Sequence, residues 1–209
     1  MEIGKLKGNP IHEDMLEAAK LAKVDFLLNF IFDEKMNLME VFSGDIEKAH
    51  IKGAGYISRK FSIKTKGRAD IVVVSCGGHP KDVNFVQAHK ALQNASYSVK
   101  KGGTIIFLAE CSEGLGSETL YDWFKYKTIE ELEKKLKKDY RMNGHTALSM
   151  LLKAMKYKII FVTKMKKEIV NKMGAKKTNS LDEAIKIASI KNKDKIYIIP
   201  EGNTTFVKI

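Results

Sequence analysis

From Ala69 onward the apolar residues come in short unbroken runs, ADIVVVSC, GTIIFLAEC, KIIFVTK and KIYIIPEG, each separated from the next by at least one stretch with helical spacing. Continuous β-branched runs that alternate with helices predict a parallel sheet buried on both faces, a Rossmann-like α/β layer. Before Ala69 the pattern is different. GNPIHEDMLEAAKLAK predicts a helix opening near Asn9 or Pro10, with Leu16, Ala19, Leu21 and Ala22 facing inward. VDFLLNFIFDEKMNLMEVFSG predicts a hairpin, two apolar strands around a polar DEKMN turn. SGDIEKAHIKGAGYIS then predicts a helix capped by Ser43 or Asp45, and KFSIKTK a short, half-exposed strand. The expected organisation is an α+β segment over residues 1–66 and a Rossmann-like domain over residues 69–209, with the break near Lys66-Gly67-Arg68.

This architecture directs attention to the carboxyl ends of the strands, beyond which open α/β sheets bind ligands. Those ends read CGGHPKD, ECSEGLG, TKMK and PEGNTT. In the helix that follows the first of them, Phe85, Ala88, Leu92, Ala95 and Val99 recur at three-four-three-four spacing, a stripe for packing on the sheet. Gln87 and Lys90, three apart, share a face roughly opposite that stripe. On an ordinary helix such a pair is solvated. In the first turns of a helix after a strand-end loop, the helix dipole and the Lys90 ammonium both favour an anion, and amide plus ammonium suit a carboxylate.

Other chemistries find less support. SCGGHPKD has neither the GxGxxG nor the GK[ST] spacing, and SEGLGSET offers at best a partial anion nest at Gly114 and Gly116. Cys76, His79 and His89 do not match a compact helix-borne metal pairing, and His12, His50 and His145 stand isolated along the chain, so no metal site is expected. Cys76 and Cys111 end buried strands near helix N-termini, where a thiolate is stabilised, but small thiols at strand ends are more often core residues. Two cysteines are too few for a disulfide framework or a structural zinc site.

Composition narrows the classes further. The net charge is +12, yet Arg59, Arg68 and Arg141 are the only arginines among 37 basic residues, and the lysines are scattered from end to end. Nucleic-acid readers cluster their charge and lean on arginine, so no specific nucleic-acid site is expected. No apolar run approaches the ~18 residues of a membrane span, and the N-terminus has no signal-peptide pattern. The expected compartment is cytoplasmic.

GGHPKDVNFVQAHKALQNAS followed by VKKGGTIIFLAECSEGLGSE resembles the lactate racemase family that uses a nickel-pincer nucleotide cofactor. So do GKLKGNPIHEDMLEAAKLAKVDFLLN and VFSGDIEKAH, in the same order along the chain. The resemblance implies an enzyme that interconverts the enantiomers of a 2-hydroxy acid, passing a hydride from C2 to the cofactor and back while paired histidines serve the hydroxyl as acid and base. A helix-borne Q-x-x-K of the family helps hold the substrate, and here that pattern is Gln87-Ala88-His89-Lys90. The family's cofactor-anchoring lysine, nickel-ligating histidine and catalytic histidines lie in segments preceding the one where this chain begins, and His12, His79 and His145 do not take their place. Val86 stands where an aromatic is expected in lactate-specific relatives, which leaves the hydroxy acid open.

The expectation is therefore a C-terminal portion of a longer or divided racemase, needing its N-terminal catalytic domain, holding no cofactor itself and inactive alone. The alternative is a free-standing α/β module that binds a nucleotide or a small acid without catalysis. A blander third is an interaction domain whose lysine-rich surface does nothing specific.

Overall fold

The computed structural model describes residues 5–33, 35–126 and 128–208, and the chain divides between Ser62 and Ile63 into two units. In the first, α1 (Pro10–Leu21) opens at Asn9, whose side chain caps Ile11 N–H, and Pro10 occupies the first turn, where its missing N–H costs nothing. β1 (Leu27–Phe32) and β2 (Leu38–Gly44) form the antiparallel hairpin, and α2 (Ile46–Lys60) starts from an Asp45 cap on Lys48 N–H. The expected inward face of α1 is met in part: Leu16 and Ala19 are half-buried, whereas Leu21 and Ala22 are exposed. No residue of that helix is buried, and Leu21 is 80% exposed.

The hairpin is just as one-sided. Ile31 is buried on the side of Ala49 and Gly53 of α2, where Phe42 packs against Gly53 and Tyr56. On its other side Leu28, Phe30 and Phe32 alternate along β1, and Phe30 and Phe32 pair across the ladder with Val41 and Leu38. All five side chains are exposed. Strand alternation sends every second residue to the same face, and here both faces are apolar while only one is covered.

The second unit begins at Ile63, inside β3 (Ser62–Lys64), the strand paired with β9 (Phe206–Lys208). Its centre is a five-stranded parallel sheet of β4 (Ala69–Ser75), β5 (Val99–Leu108), β6 (Lys158–Val162), β7 (Lys176–Thr178) and β8 (Ile196–Ile199), in the order β7-β6-β5-β4-β8. The four apolar runs supply four of these strands. β7, three residues of KKT, carries no apolar run and leaves no such signal.

Helices cover both faces of the sheet. The larger core sets Val72, Val74, Ile105, Phe107, Ile159 and Phe161 against α3 (Phe85–Ala95), α4 (Glu118–Trp123), α5 (Ile129–Lys138) and α6 (Gly144–Lys156). The smaller core sets the alternate residues Ile71, Ile106 and Ile160 against Ala184 of α8 (Leu181–Ala188), while α7 (Lys167–Lys172) leads into β7. Fully burying a side chain such as Phe85 or Leu92 contributes roughly 1.5–3 kcal/mol, and both are 0% exposed. The predicted stripe is buried throughout. Its fifth member, Val99, lies outside the helix: α3 ends at Ala95 with Ser96 as cap, and Val99 opens β5.

Candidate functional site

The stretch from Cys76 to Asn84 is pinned at several points, and together they set the start of α3. Gly77 (φ 91°) and Gly78 (φ 75°) occupy the left-handed region. A Cβ on Gly77 would come within 2.1 Å of the Glu201 carboxylate, which pairs with Lys81 at 2.7 Å. Asn203 donates to Lys81 O, Gly202 N–H donates to Ser75 O, and Asn94 of α3 donates to Gly202 O at 2.7 Å. The PEGNTT segment is thereby spent on holding α3 in place.

The first three helical N–H groups of α3 already have partners. Phe85 N–H donates to Gly114 O and Val86 N–H to Leu115 O, while Gln87 N–H donates to the Asn84 side chain at 3.1 Å. Gly116 allows this approach, since a Cβ there would lie 2.3 Å from Asn84. The SEGLG loop thus caps the helix from outside, and the dipole contribution expected from sequence is already used by protein carbonyls. An anion at this helix must be held by side chains.

Those side chains meet. Lys90 Nζ donates to Gln87 Oε1 at 2.9 Å, with Gln87 half-buried and Lys90 exposed. The bond satisfies the amide oxygen and leaves the amide N–H groups and the remaining ammonium N–H groups as a cluster of donors. No carboxylate neutralises Lys90 among the described residues. Chemically, such a cluster of donors suits an oxygen acceptor, an oxyanion above all.

The remaining candidates separate. Cys76 is fully buried and its Sγ lies 3.7 Å from Ala88 O. Burial pushes its thiol far up, as it pushes Cys111 to about 12, with Asp82 adding to both. Protonated, inaccessible thiols are core residues. His79 is exposed in the loop. His12 and His50, far apart in sequence, stack at 5.2 Å between ring centroids in the first unit, and His145 Nδ1 meets Tyr140 OH at 2.8 Å. Among the described residues no three His, Cys, Asp or Glu side chains converge as a metal site would require. At the carboxyl ends of β4 to β7 a crevice of about 570 Å³ opens, with Leu108 and Val162 in its lining and the Glu110–Lys164 ion pair on it.

The pattern from residue 64 to residue 207 matches the family model described as the lactate racemase C-terminal domain. The chain belongs to that family. Among curated relatives, the lactate racemase of Thermoanaerobacterium thermosaccharolyticum is 37% identical over 98% of this chain and 50% of its own length. That of Lactiplantibacillus plantarum is 30% identical over the same shares. The chain thus spans about half the length of the curated relatives it matches. The solved structure of the Thermoanaerobacterium lactate racemase apoprotein superposes with a TM-score of 0.90 at 35% identity, covering 98% of this chain and 51% of that one. A crystal structure of a Thermotoga maritima protein, at 17% identity and a TM-score of 0.69, shares the fold.

Membership in the lactate racemase family leaves one network without a forecast. On α6, Ser149 and Lys153 stand four apart and reach across to His89 and Gln93 of α3. The i, i+4 spacing of a serine and a lysine was its only trace in sequence.

Proposed function

We propose that this chain is the substrate-carboxylate-holding portion of a lactate racemase-like 2-hydroxy acid racemase or epimerase, and that it works with an N-terminal half that carries the hydride chemistry. The observation that supports this most directly is the Gln87–Lys90 pair, joined side chain to side chain, with Lys90 making no ion pair among the described residues. The carboxylate is the group that both enantiomers of a 2-hydroxy acid present identically. A grip on it holds the substrate while the configuration at C2 inverts. Lys90 supplies charge and Gln87 supplies direction, the bond between them fixing the amide plane. By resemblance, the hydride acceptor is a nickel-pincer nucleotide. The histidines and thiols described above do not fit that group, and this chain's part ends at the substrate.

The N-terminal half seats, in this reading, on the bare side of the hairpin. Leu28, Phe30, Phe32, Leu38 and Val41 form an apolar face of the kind that marks an interface. The relatives carry as much chain again as is present here.

Two measurements test the proposal. In the complete enzyme, Gln87→Ala and Lys90→Ala should each cost about 1.5–3 kcal/mol of transition-state binding, roughly 10- to 100-fold in kcat/KM. Wild-type kcat/KM for both variants on every 2-hydroxy acid tried would end the carboxylate-grip reading. The chain by itself should not racemise, and nickel-dependent racemisation by the purified chain would overturn that part.

A further inference from the structure

Helix α6 buries a charge that has no counterion among the described residues. Lys153 is 7% exposed, and the partners of its Nζ are the Ser149 carbonyl at 3.2 Å, the Ser149 hydroxyl at 2.5 Å and His89 Nε2 at 3.4 Å. All three are neutral acceptors. His89 is held neutral by burial and by Lys153 itself, its pKa pushed down to about 3. Burial lowers Lys153 only to about 8, so the ammonium persists at neutral pH. A buried cation without a counterion is costly, and perturbed buried cations cluster at functional sites.

A cleft of about 270 Å³ lies against this lysine, between α3 and α6. Arg68 and Lys156 line it with Lys153, together with the Gln93 amide, the Ser149 hydroxyl and the Tyr157 ring, and no aspartate or glutamate does. Neither Arg68 nor Lys156 makes an ion pair among the described residues. Three basic residues therefore line one hollow that contains hydrogen-bonding groups and no acid, with Lys156 Nζ over the Tyr157 ring at 5.4 Å. The cleft walls are anchored: Tyr157 OH donates to Ser96 O at 3.0 Å, and Gln93 bridges Tyr97 OH and Ser149. Gln87 and Lys90 are not part of its lining.

We propose that the cleft between α3 and α6 is a binding site for a small oxyanion of two negative charges, a phosphate group or a dicarboxylate, gripped by Arg68 and Lys156 over the buried Lys153. Arg68 supplies the planar fork that matches two oxygens at once, and Lys156 a mobile point charge. The proposal stands apart from the racemase reading, because no residue of the carboxylate grip lines the cleft.

The test titrates the chain at low ionic strength with inorganic phosphate, glycerol phosphate and oxalate, each against sodium chloride of equal ionic strength. Thermal unfolding and the amide shifts of α3 and α6 are the readouts. At least one oxyanion should raise the unfolding temperature saturably where chloride does not, and the one that saturates identifies the source. The Arg68→Ala, Lys156→Ala double variant, altered only at exposed side chains, should bind at least tenfold more weakly. Lys153→Met should fold and lose the response. Gln87→Ala with Lys90→Ala should leave it unchanged. A response no greater than that to chloride for all three oxyanions overturns the proposal. So does full binding by the double variant at Arg68 and Lys156, or binding lost in the Gln87, Lys90 variant alone.

Discussion

His89 sets its ring edge-on to Phe85 at 5.6 Å between centroids and faces the Lys153 ammonium at Nε2. Burial first, then Lys153, lowers its pKa to about 3 from an ordinary 6.5. A group whose folded pKa is depressed contributes its full stability above the unfolded value and loses it as pH falls. The stability that rests on neutral His89 is therefore complete above pH 6.5 and drains between pH 6.5 and about 3, by at most about 1.4 kcal/mol per pH unit. His89→Gln should flatten this part of the profile in urea titrations run from pH 7 down to pH 4. A variant as acid-sensitive as the wild type would show that the imidazole is solvated. At the two cysteines the outcome is simpler: a thiol reagent should leave Cys76 and Cys111 untouched until the chain unfolds, in line with their burial and raised pKa values. The residue types were plain in sequence, but their protonation was not, because it depends first on burial and then on Lys153 and Asp82 arriving from other elements.

At the scale of elements, the loop from Cys76 to Asn84 and the helix α3 behave as one device. Gly77 takes φ 91° and leaves no room for a Cβ beside Glu201, whereas Gly78, at φ 75°, has open space around it. Both positions would be strained by alanine, at about 1–3 kcal/mol each. Gly77→Ala must in addition displace the carboxylate that pairs with Lys81. Gly77→Ala should therefore lower the urea midpoint more than Gly78→Ala does, and in the complete enzyme it should depress kcat/KM by tilting α3. Equal midpoints would place no weight on the Glu201 contact. The turn and the α3 stripe were legible because glycine pairs and helical spacing are local signals. The capping of α3 by Gly114 and Leu115 was not, since those carbonyls reach it through the ordering of strands in the sheet. β7 was missed for a related reason. Its pairing with β6 forms it, not its own KKT.

For the molecule as a whole, the two units differ in how well they bury themselves. The larger has helices on both faces of its sheet, while the smaller leaves one side of a two-stranded hairpin bare. Two strands with a single covered face are marginal on their own. Phe30→Glu with Val41→Lys should leave the second unit's fold intact, suppress any concentration-dependent association in sedimentation velocity, and abolish binding of the N-terminal half. If that half binds the double variant as tightly as the wild type, the bare hairpin face is not its seat. By itself, the sequence determined the elements that rest on local rules: apolar runs that become parallel strands, the helix starts near Asn9 and Asp45 to within a choice of caps, the hairpin, and a Gln87–Lys90 pair on one helical face. Tertiary structure alone decided which polar groups are spoken for. It spent the α3 dipole on a neighbouring loop, stacked His12 on His50, and drew Arg68, Lys153 and Lys156 around one cleft. Periodicity follows from backbone geometry and is written along the chain, whereas a charge acquires its energy from whatever the fold places beside it.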